Sequence, residues 1–366
     1  MPVYAFGSNG NGQLGVGHVN DLFTPQPCQL DIQDLDIAKI AAGGNHSAIL
    51  TIHGDIYFSG DNSHGQCGDV TSTNYQRSTA LSSSKWKDVA CGWSFTILVE
   101  DVSGQVYVMG EGSRGELGHG DSLCRTSIAV AIKGVDQVAS IACGWRHALA
   151  VKVDGSVVGW GSGSYGQLGI NGLPAKNSKA TLPITVLATD IVNVACGQMH
   201  SVFLDIHGRV FTMGLNKHGQ LGMEPPTKCL KSSIPSLIEL PAPVDKISCG
   251  WHHTLVLTRD GELWGWGRSD HGQLTNMYAT GDNWIDVPVR LSWKPVRLQQ
   301  SSTTEAMICG SEHVLTISGG QAYAWGWNEH GNCTSTDADV LAPRSISLGK
   351  PRMIAAGCGT SWIITV

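Results

Sequence analysis

Gly7-Ser8-Asn9-Gly10-Asn11-Gly12-Gln13-Leu14-Gly15 recurs seven times, with later copies at Gly60 to Gly68, Gly110 to Gly118, Gly161 to Gly169, Gly214 to Gly222, Gly267 to Thr275 and Gly326 to Thr334. Each copy opens on glycine, carries a second glycine five residues on, and ends Gln-Leu-Gly or a close variant of it. An apolar residue precedes the first glycine in Phe6, Met109, Trp160, Met213, Trp266 and Trp325, with Ser59 the exception. A strand therefore runs into a glycine turn.

A second signature alternates with this one and reads small-Gly-x-x-His before an apolar run. Its copies are Ala42-Gly43-Gly44-Asn45-His46, Cys91-Gly92-Trp93-Ser94-Phe95, Cys143-Gly144-Trp145-Arg146-His147, Cys196-Gly197-Gln198-Met199-His200, Cys249-Gly250-Trp251-His252-His253, Cys309-Gly310-Ser311-Glu312-His313 and a degenerate Ala356-Gly357-Cys358-Gly359-Thr360. Successive glycines of the set lie 49, 52, 53, 53, 60 and 47 residues apart. A period near fifty, built of strands and turns, predicts an all-β seven-bladed propeller, with residues 1–366 as one domain.

The bulk numbers agree. With 46 Gly, 12 Trp and 15% charged residues, few side chains favour helix and many favour turns or strands. A formal charge of −6 and the lack of a Lys/Arg cluster argue against direct nucleic-acid binding. No apolar stretch approaches membrane-spanning length, and Met1-Pro2-Val3-Tyr4 enters the first signature without a signal-peptide pattern. Five of the eleven cysteines (Cys91, Cys143, Cys196, Cys249, Cys309) share one repeat position, so they are expected to be small buried hydrophobes in a reducing compartment.

The order of the signatures predicts how the ring closes. The chain starts with a turn signature lacking its partner and ends with a small-Gly-x-x segment lacking its turn, so 353–366 and 3–15 should complete one blade. The runs 47–51, 96–100, 148–152, 201–205 and 254–258 are expected to be inner strands, followed by hairpin turns such as Val153-Asp154-Gly155-Ser156. The longest variable segments are 170–190, 223–242 and 276–307. The last carries Trp284, Arg290, Trp293 and Arg297 and reads equally as a binding element or as an extra outer strand.

Catalytic readings lose to architectural ones. Gly10-x-Gly12-x-x-Gly15 and its equivalents satisfy the dinucleotide pattern, but no amphipathic helix follows to receive a pyrophosphate. The motif histidines recur once per blade, as architecture alone produces, and are expected to bond neighbouring backbone rather than a metal. No cofactor site and no nucleophile-base-orienter set is evident, so the chain does not read as an enzyme. The two x positions differ from this constant frame. They supply Trp93, Arg146, Met199, Trp251, His252 and Glu312 as candidate partner-binding residues, and Trp327, Glu329 and His330 add a cluster on a turn. The alternative, tryptophans that only pack between blades, stays open.

These alternating signatures resemble the regulator of chromosome condensation repeat family, across essentially the whole chain. Val3-Tyr4-Ala5-Phe6-Gly7-Ser8-Asn9-Gly10, Gly43-Gly44-Asn45-His46-Ser47, Cys91-Gly92-Trp93, Gly310-Ser311-Glu312-His313 and Trp325-Gly326-Trp327-Asn328-Glu329-His330-Gly331 look like its fungal alpha-tubulin-suppressor, or killer-toxin-insensitivity, branch. That resemblance implies a cytoplasmic protein, with the nucleus left open, that forms a heterodimer with the small CSL-type zinc protein. Through that partner it would modulate diphthamide synthesis on elongation factor 2 and Elongator-dependent modification of the tRNA wobble uridine. Two other branches imply other functions. Guanine-nucleotide exchange on a small GTPase calls for an acidic residue directly before the motif histidine, which only Glu312 supplies. The plant ultraviolet-receptor branch repeats Gly-Trp-Arg-His, found here once, at Gly144-Trp145-Arg146-His147.

Overall fold

A computed structural model of the chain describes residues 2–30, 36–170, 178–187, 190–225, 230–275, 277–280, 283–286, 290–298, 302–334 and 336–366. Seven four-stranded antiparallel sheets form the blades. Each inner strand touches the inner strand of the next sheet, and the last touches the first, which closes the ring. Blades 1 to 6 lie within 37–77, 86–131, 138–187, 191–238, 244–297 and 304–346. Blade 7 takes its two inner strands, Pro351–Ala356 and Thr360–Thr365, from one end of the chain and its two outer strands, Val3–Gly7 and Leu22–Pro27, from the other. Val3 pairs with Ile364 and Gly7 with Thr360. The expected clasp is present, and it extends beyond residue 15 to include Leu22–Pro27. Phe6, Trp362, Ile363 and Ile364 are buried together along that seam.

Second strands such as His46–Thr51 are buried along their whole length, whereas outer strands such as Leu22–Pro27 are mostly exposed. Strands packed on both faces need apolar or small residues at every position, which is why the runs after the motif histidines do not alternate. The segments read as variable loops carry the outer strands of their blades: Lys179–Leu187, Lys231–Ile238 and Leu291–Arg297. In blade 5 a hairpin, Met277–Thr280 with Asn283–Asp286, is inserted before that strand. Trp293 and Arg297 belong to the outer strand, and Arg297 pairs with Glu262 at 2.7 Å. The Trp284 side chain and residues 171–177, 188–189, 226–229, 276, 281–282, 287–289 and 299–301 lie outside the described residues.

One backbone bond joins the two signatures in every blade. The N–H of the second turn residue donates to the carbonyl of the second x residue: Ser8 to Gly359, Asp61 to Asn45, Glu111 to Ser94, Ser162 to Arg146, Leu215 to Met199, Arg268 to His252 and Trp327 to Glu312, all at 2.7–2.9 Å. The glycine before it makes the approach possible. Gly7 has φ of 109°, and a Cβ there would sit 2.3 Å from the Gly359 carbonyl oxygen.

A second device seals four of the blade boundaries. His46 Nε2 lies 2.9 Å from Thr96 Oγ1, His147 Nε2 3.1 Å from Ser201 Oγ, His200 Nε2 3.0 Å from Thr254 Oγ1 and His313 Nε2 3.0 Å from Ser361 Oγ. These hydroxyls in turn donate to the carbonyls of Gln66, Gln167, Gln220 and Asn332 in the glycine turns. Because the hydroxyl spends its proton on a carbonyl, the imidazole must donate from Nε2. The expected backbone partner is therefore replaced by a side-chain hydroxyl one blade away. Where Phe95 stands for the histidine, Ala148 stands for the hydroxyl, so neither is stranded. The tryptophans before the turns close the same joint, Trp160, Trp266 and Trp325 donating from Nε1 to the carbonyls of Glu116, Gln220 and Gln273 at 2.8–3.0 Å.

Burial lowers the pKa of His46 to about 4 and those of His147, His200 and His313 to about 3. The folded state then binds fewer protons than the unfolded chain below the free imidazole value near 6.5, so stability falls as pH falls through that range. Each histidine contributes a slope of about 1.4 kcal/mol per pH unit. Urea midpoints measured from pH 7 to 4.5 should drop steeply, and a flat profile would contradict the neutral relay. Deleting residues 358–366 removes the second strand of blade 7 and should sharply lower Tm by calorimetry, an unchanged melt being incompatible with a ring closed by the clasp.

Candidate functional site

Because the joint bond fixes both signatures at one end of each blade, the x pair and turn positions two and five share a face. The hairpin turns between second and third strands lie at the opposite end, since His46 pairs with Gly60 while Leu50 pairs with Ile56. On the signature face a cavity of about 360 Å³ is lined by Trp93, Trp251, His252, Glu312, Trp327 and His330 among the expected residues. The tryptophans are not merely packed between blades. Trp93 is 37% exposed, and Trp145, Trp251 and Trp327 are half-buried. Trp93 meets Trp145 edge-on with centroids 6.3 Å apart, and its ring is tilted 48° against Trp251 at 6.0 Å.

Arg146 and Met199 fall beside this cavity rather than in it. They line a neighbouring cavity of about 390 Å³ with Arg114, Tyr165 and Gln198, and the Arg146 guanidinium lies 4.9 Å over the Trp145 ring. Glu329 is exposed and lines neither cavity, while its neighbours Trp327 and His330 pack edge-on at 5.3 Å. The axis is a narrower channel of about 150 Å³ ringed by motif glycines and Cys91, Cys143, Cys196, Cys249 and Cys309. Burial raises the thiols of Cys91, to about 12, and of Cys143, Cys196 and Cys249, so those four are protonated and unreactive. Among the described residues no group of three His, Cys, Asp or Glu is placed to hold a metal ion.

Glu312 is the electrostatic centre of the face, with its side chain only 8% exposed. His252 Nδ1 donates to Oε1 at 2.5 Å, Arg268 Nη1 lies 3.3 Å from the same oxygen, and Gln273 Nε2 donates to Oε2 at 2.7 Å. Burial by itself would raise the carboxyl pKa. The His252 bond and the proximity of His253, 3.8 Å away, outweigh it and hold the group well below the usual carboxylate range. Arg268 also pairs with Asp270, Nη2 donating to it at 2.8 Å and Nε lying 2.6 Å from its other oxygen.

Arg268 and His271 were not among the expected site residues, although both belong to the face. The missing signal was positional. Turn position two (Ser8, Arg268, Trp327) and position five (His218, His271, His330) vary as the x pair does, but their convergence with it depends on the joint bond, which no residue spacing displays.

The RCC1-like domain model matches residues 2–364. The secretion-regulating guanine nucleotide exchange factor of Bos taurus is 34% identical over 365 residues, covering 94% of this chain and 78% of the relative. The Mus musculus protein of the same name is 32% identical over 388 residues, covering 100% and 83%. Among solved structures, Prp20p from Saccharomyces cerevisiae superposes with a TM-score of 0.86 at 21% identity, over 99% of this chain and 90% of that one, a likeness of fold.

Removing the Glu312 carboxylate strands Arg268 and His252 in a buried setting. Glu312→Ala should lower stability by about 3–5 kcal/mol by chemical denaturation, and Glu312→Gln by less, because the amide still accepts a bond. A loss below about 1 kcal/mol in the alanine variant would show the cluster to be solvated.

Proposed function

The chain belongs to the RCC1-like domain family, and on that premise we propose that it is a guanine-nucleotide exchange factor for a small GTPase, with the signature face as its docking surface. The observation that carries this reading is the whole-chain similarity to two mammalian proteins named as secretion-regulating exchange factors. An exchange factor needs no bond chemistry of its own. It works by binding the nucleotide-free GTPase more tightly than the loaded one, so its requirement is a rigid surface with strong anchors.

The face supplies them. Trp93, Trp251 and Trp327 offer aromatic area already held in place by the joint bonds, so little rotamer freedom is lost on docking. Glu312, the acidic residue before the motif histidine, acts as a positioning residue: buried itself, it fixes His252 and Arg268 at the surface. The CSL-type zinc protein is the second candidate partner, because Trp93, Trp327 and His330, assigned to it by motif resemblance, line the same cavity. Its links to diphthamide and Elongator-dependent modification follow only if that complex forms.

The test is release of fluorescent GDP from a panel of small GTPases, with purified protein and with Trp327→Ala. Acceleration by more than about tenfold for at least one GTPase, lost in the variant, is the expected result. No acceleration and no complex with any nucleotide-free GTPase would overturn the exchange reading, and tight one-to-one binding of the zinc-loaded CSL protein instead would put the second candidate in its place.

A further inference from the structure

We propose that the cavity on the signature face, reaching from blade 5 across blade 7 to Trp93 of blade 2, is a receptor for one arginine side chain presented by the partner protein. The inference rests on the reading that this face docks a partner, and it names the group the partner inserts.

The cavity offers acceptors and aromatic faces. Three imidazoles line it, and each is tied through Nδ1 to a carboxylate: His252 to Glu312 at 2.5 Å, His271 to Asp339 at 2.9 Å and His330 to Asp21 at 2.8 Å. An ionised carboxylate can only accept, so Nδ1 carries the proton and a neutral ring keeps a lone pair at Nε2. His271 bears this out, since its Nε2 lies 3.2 Å from the Arg268 Nη2 donor. The Nε2 atoms of His252 and His330 bond to no described residue, and neither is a buried orphan, so both open to solvent. Two directed acceptors thus stand in one cavity beside the faces of Trp93, Trp251 and Trp327.

The surrounding charge selects the guest. Glu312, Asp270, Asp339 and Asp21 contribute four carboxylates against two cationic groups, Arg268, which pairs with Asp270 and Glu312, and His253, 3.8 Å from Glu312. Four carboxylates against two cations leave the cluster net negative while the three lining imidazoles are neutral, which repels a carboxylate and attracts a cation. Separated acceptors and flat indole walls favour a planar, five-donor guanidinium over a compact ammonium, because the guanidinium can stack on a ring and reach more than one acceptor.

The cavity is also kept open by sequence. Gly359, at the second x position of blade 7, has no positive φ to explain it. A Cβ there would make ordinary contacts, 3.5 Å from the Trp327 ring and 3.9 Å from His330. A larger side chain at 359 would extend into the space between those two walls, and the backbone does not forbid it.

The probe is a blocked peptide, acetyl-Gly-Gly-Arg-Gly-Gly-amide, with lysine, leucine and glutamate counterparts, titrated into the full chain while tryptophan fluorescence is followed. The arginine peptide should give a saturable change with Kd near about 1 mM, the lysine peptide a weaker one, and the other two none. Gly359→Leu, which removes none of the lining groups, should abolish the arginine response with its circular dichroism and melt unchanged. Trp327→Leu should weaken it by about tenfold or more. Equal binding of the leucine and arginine peptides, no saturation by about 10 mM, or an undiminished response in folded Gly359→Leu would each overturn the proposal. Nucleotide release by the unsubstituted chain separates the two readings. Release without arginine binding sinks only the receptor, and arginine binding without release from any GTPase sinks only the exchange activity.

Discussion

The structure depends on the backbone bond between the second turn residue and the second x residue, repeated in all seven blades at 2.7–2.9 Å. It ties the start of each second strand to the end of each third strand, so two signatures that alternate in sequence become one corner in space. Glycine is required there because the carbonyl approaches to within the volume a Cβ would fill, as at Gly7, Gly60 and Gly110. From that corner the histidine reaches across to a hydroxyl of the next blade, and the hydroxyl reaches on to a turn carbonyl. At the four boundaries that carry this relay, the imidazole Nε2, the hydroxyl and the turn carbonyl are all paired across the joint.

The same bond explains why recognition is concentrated on one face. Residues free to vary without disturbing the frame are the x pair and turn positions two and five, and all of them project from the cornered end. Trp93, Trp251, Trp327, Arg268, His271 and His330 come from blades far apart in sequence yet line one cavity. Their side chains are held by tilted and edge-on ring contacts, carboxylate-bound imidazoles and the Arg268–Asp270 ion pair, so the surface is organised before any partner arrives.

Much of the fold was legible because a repeat repeats its physics. The period of the motif glycines and the unpaired half-signatures at the two ends led to blades and a clasp that the structure contains, while the apolar runs after the histidines, expected as inner strands, are second strands behind strands such as Ile37–Ala42. The destination of the histidines was not legible. A lone sequence shows that His46 recurs as His147 and His200, but the partner hydroxyls of Thr96, Ser201 and Thr254 lie about fifty residues away, one blade on. The site was half legible for the same reason. Trp93, Trp251 and His252 were visible as variable positions in a constant frame and Trp327 as part of an aromatic-acid-His run on a turn, whereas Arg268 and His271 sit in the turn signature without such a run and join them only through folding. Glu329 looked like part of a cluster because it lies between Trp327 and His330, but adjacent turn residues point different ways, and only its neighbours enter the cavity.

The central claim is that function resides on the cornered face. Amide hydrogen exchange of the full chain, alone and with a nucleotide-free small GTPase that it acts on, tests this most directly. The account predicts added protection at 92–95, 250–253, 267–273 and 326–331, where the x pairs and turns lie. Protection confined to the opposite hairpins, at 52–55, 153–155 and 206–208, with the cornered face unchanged, would contradict it.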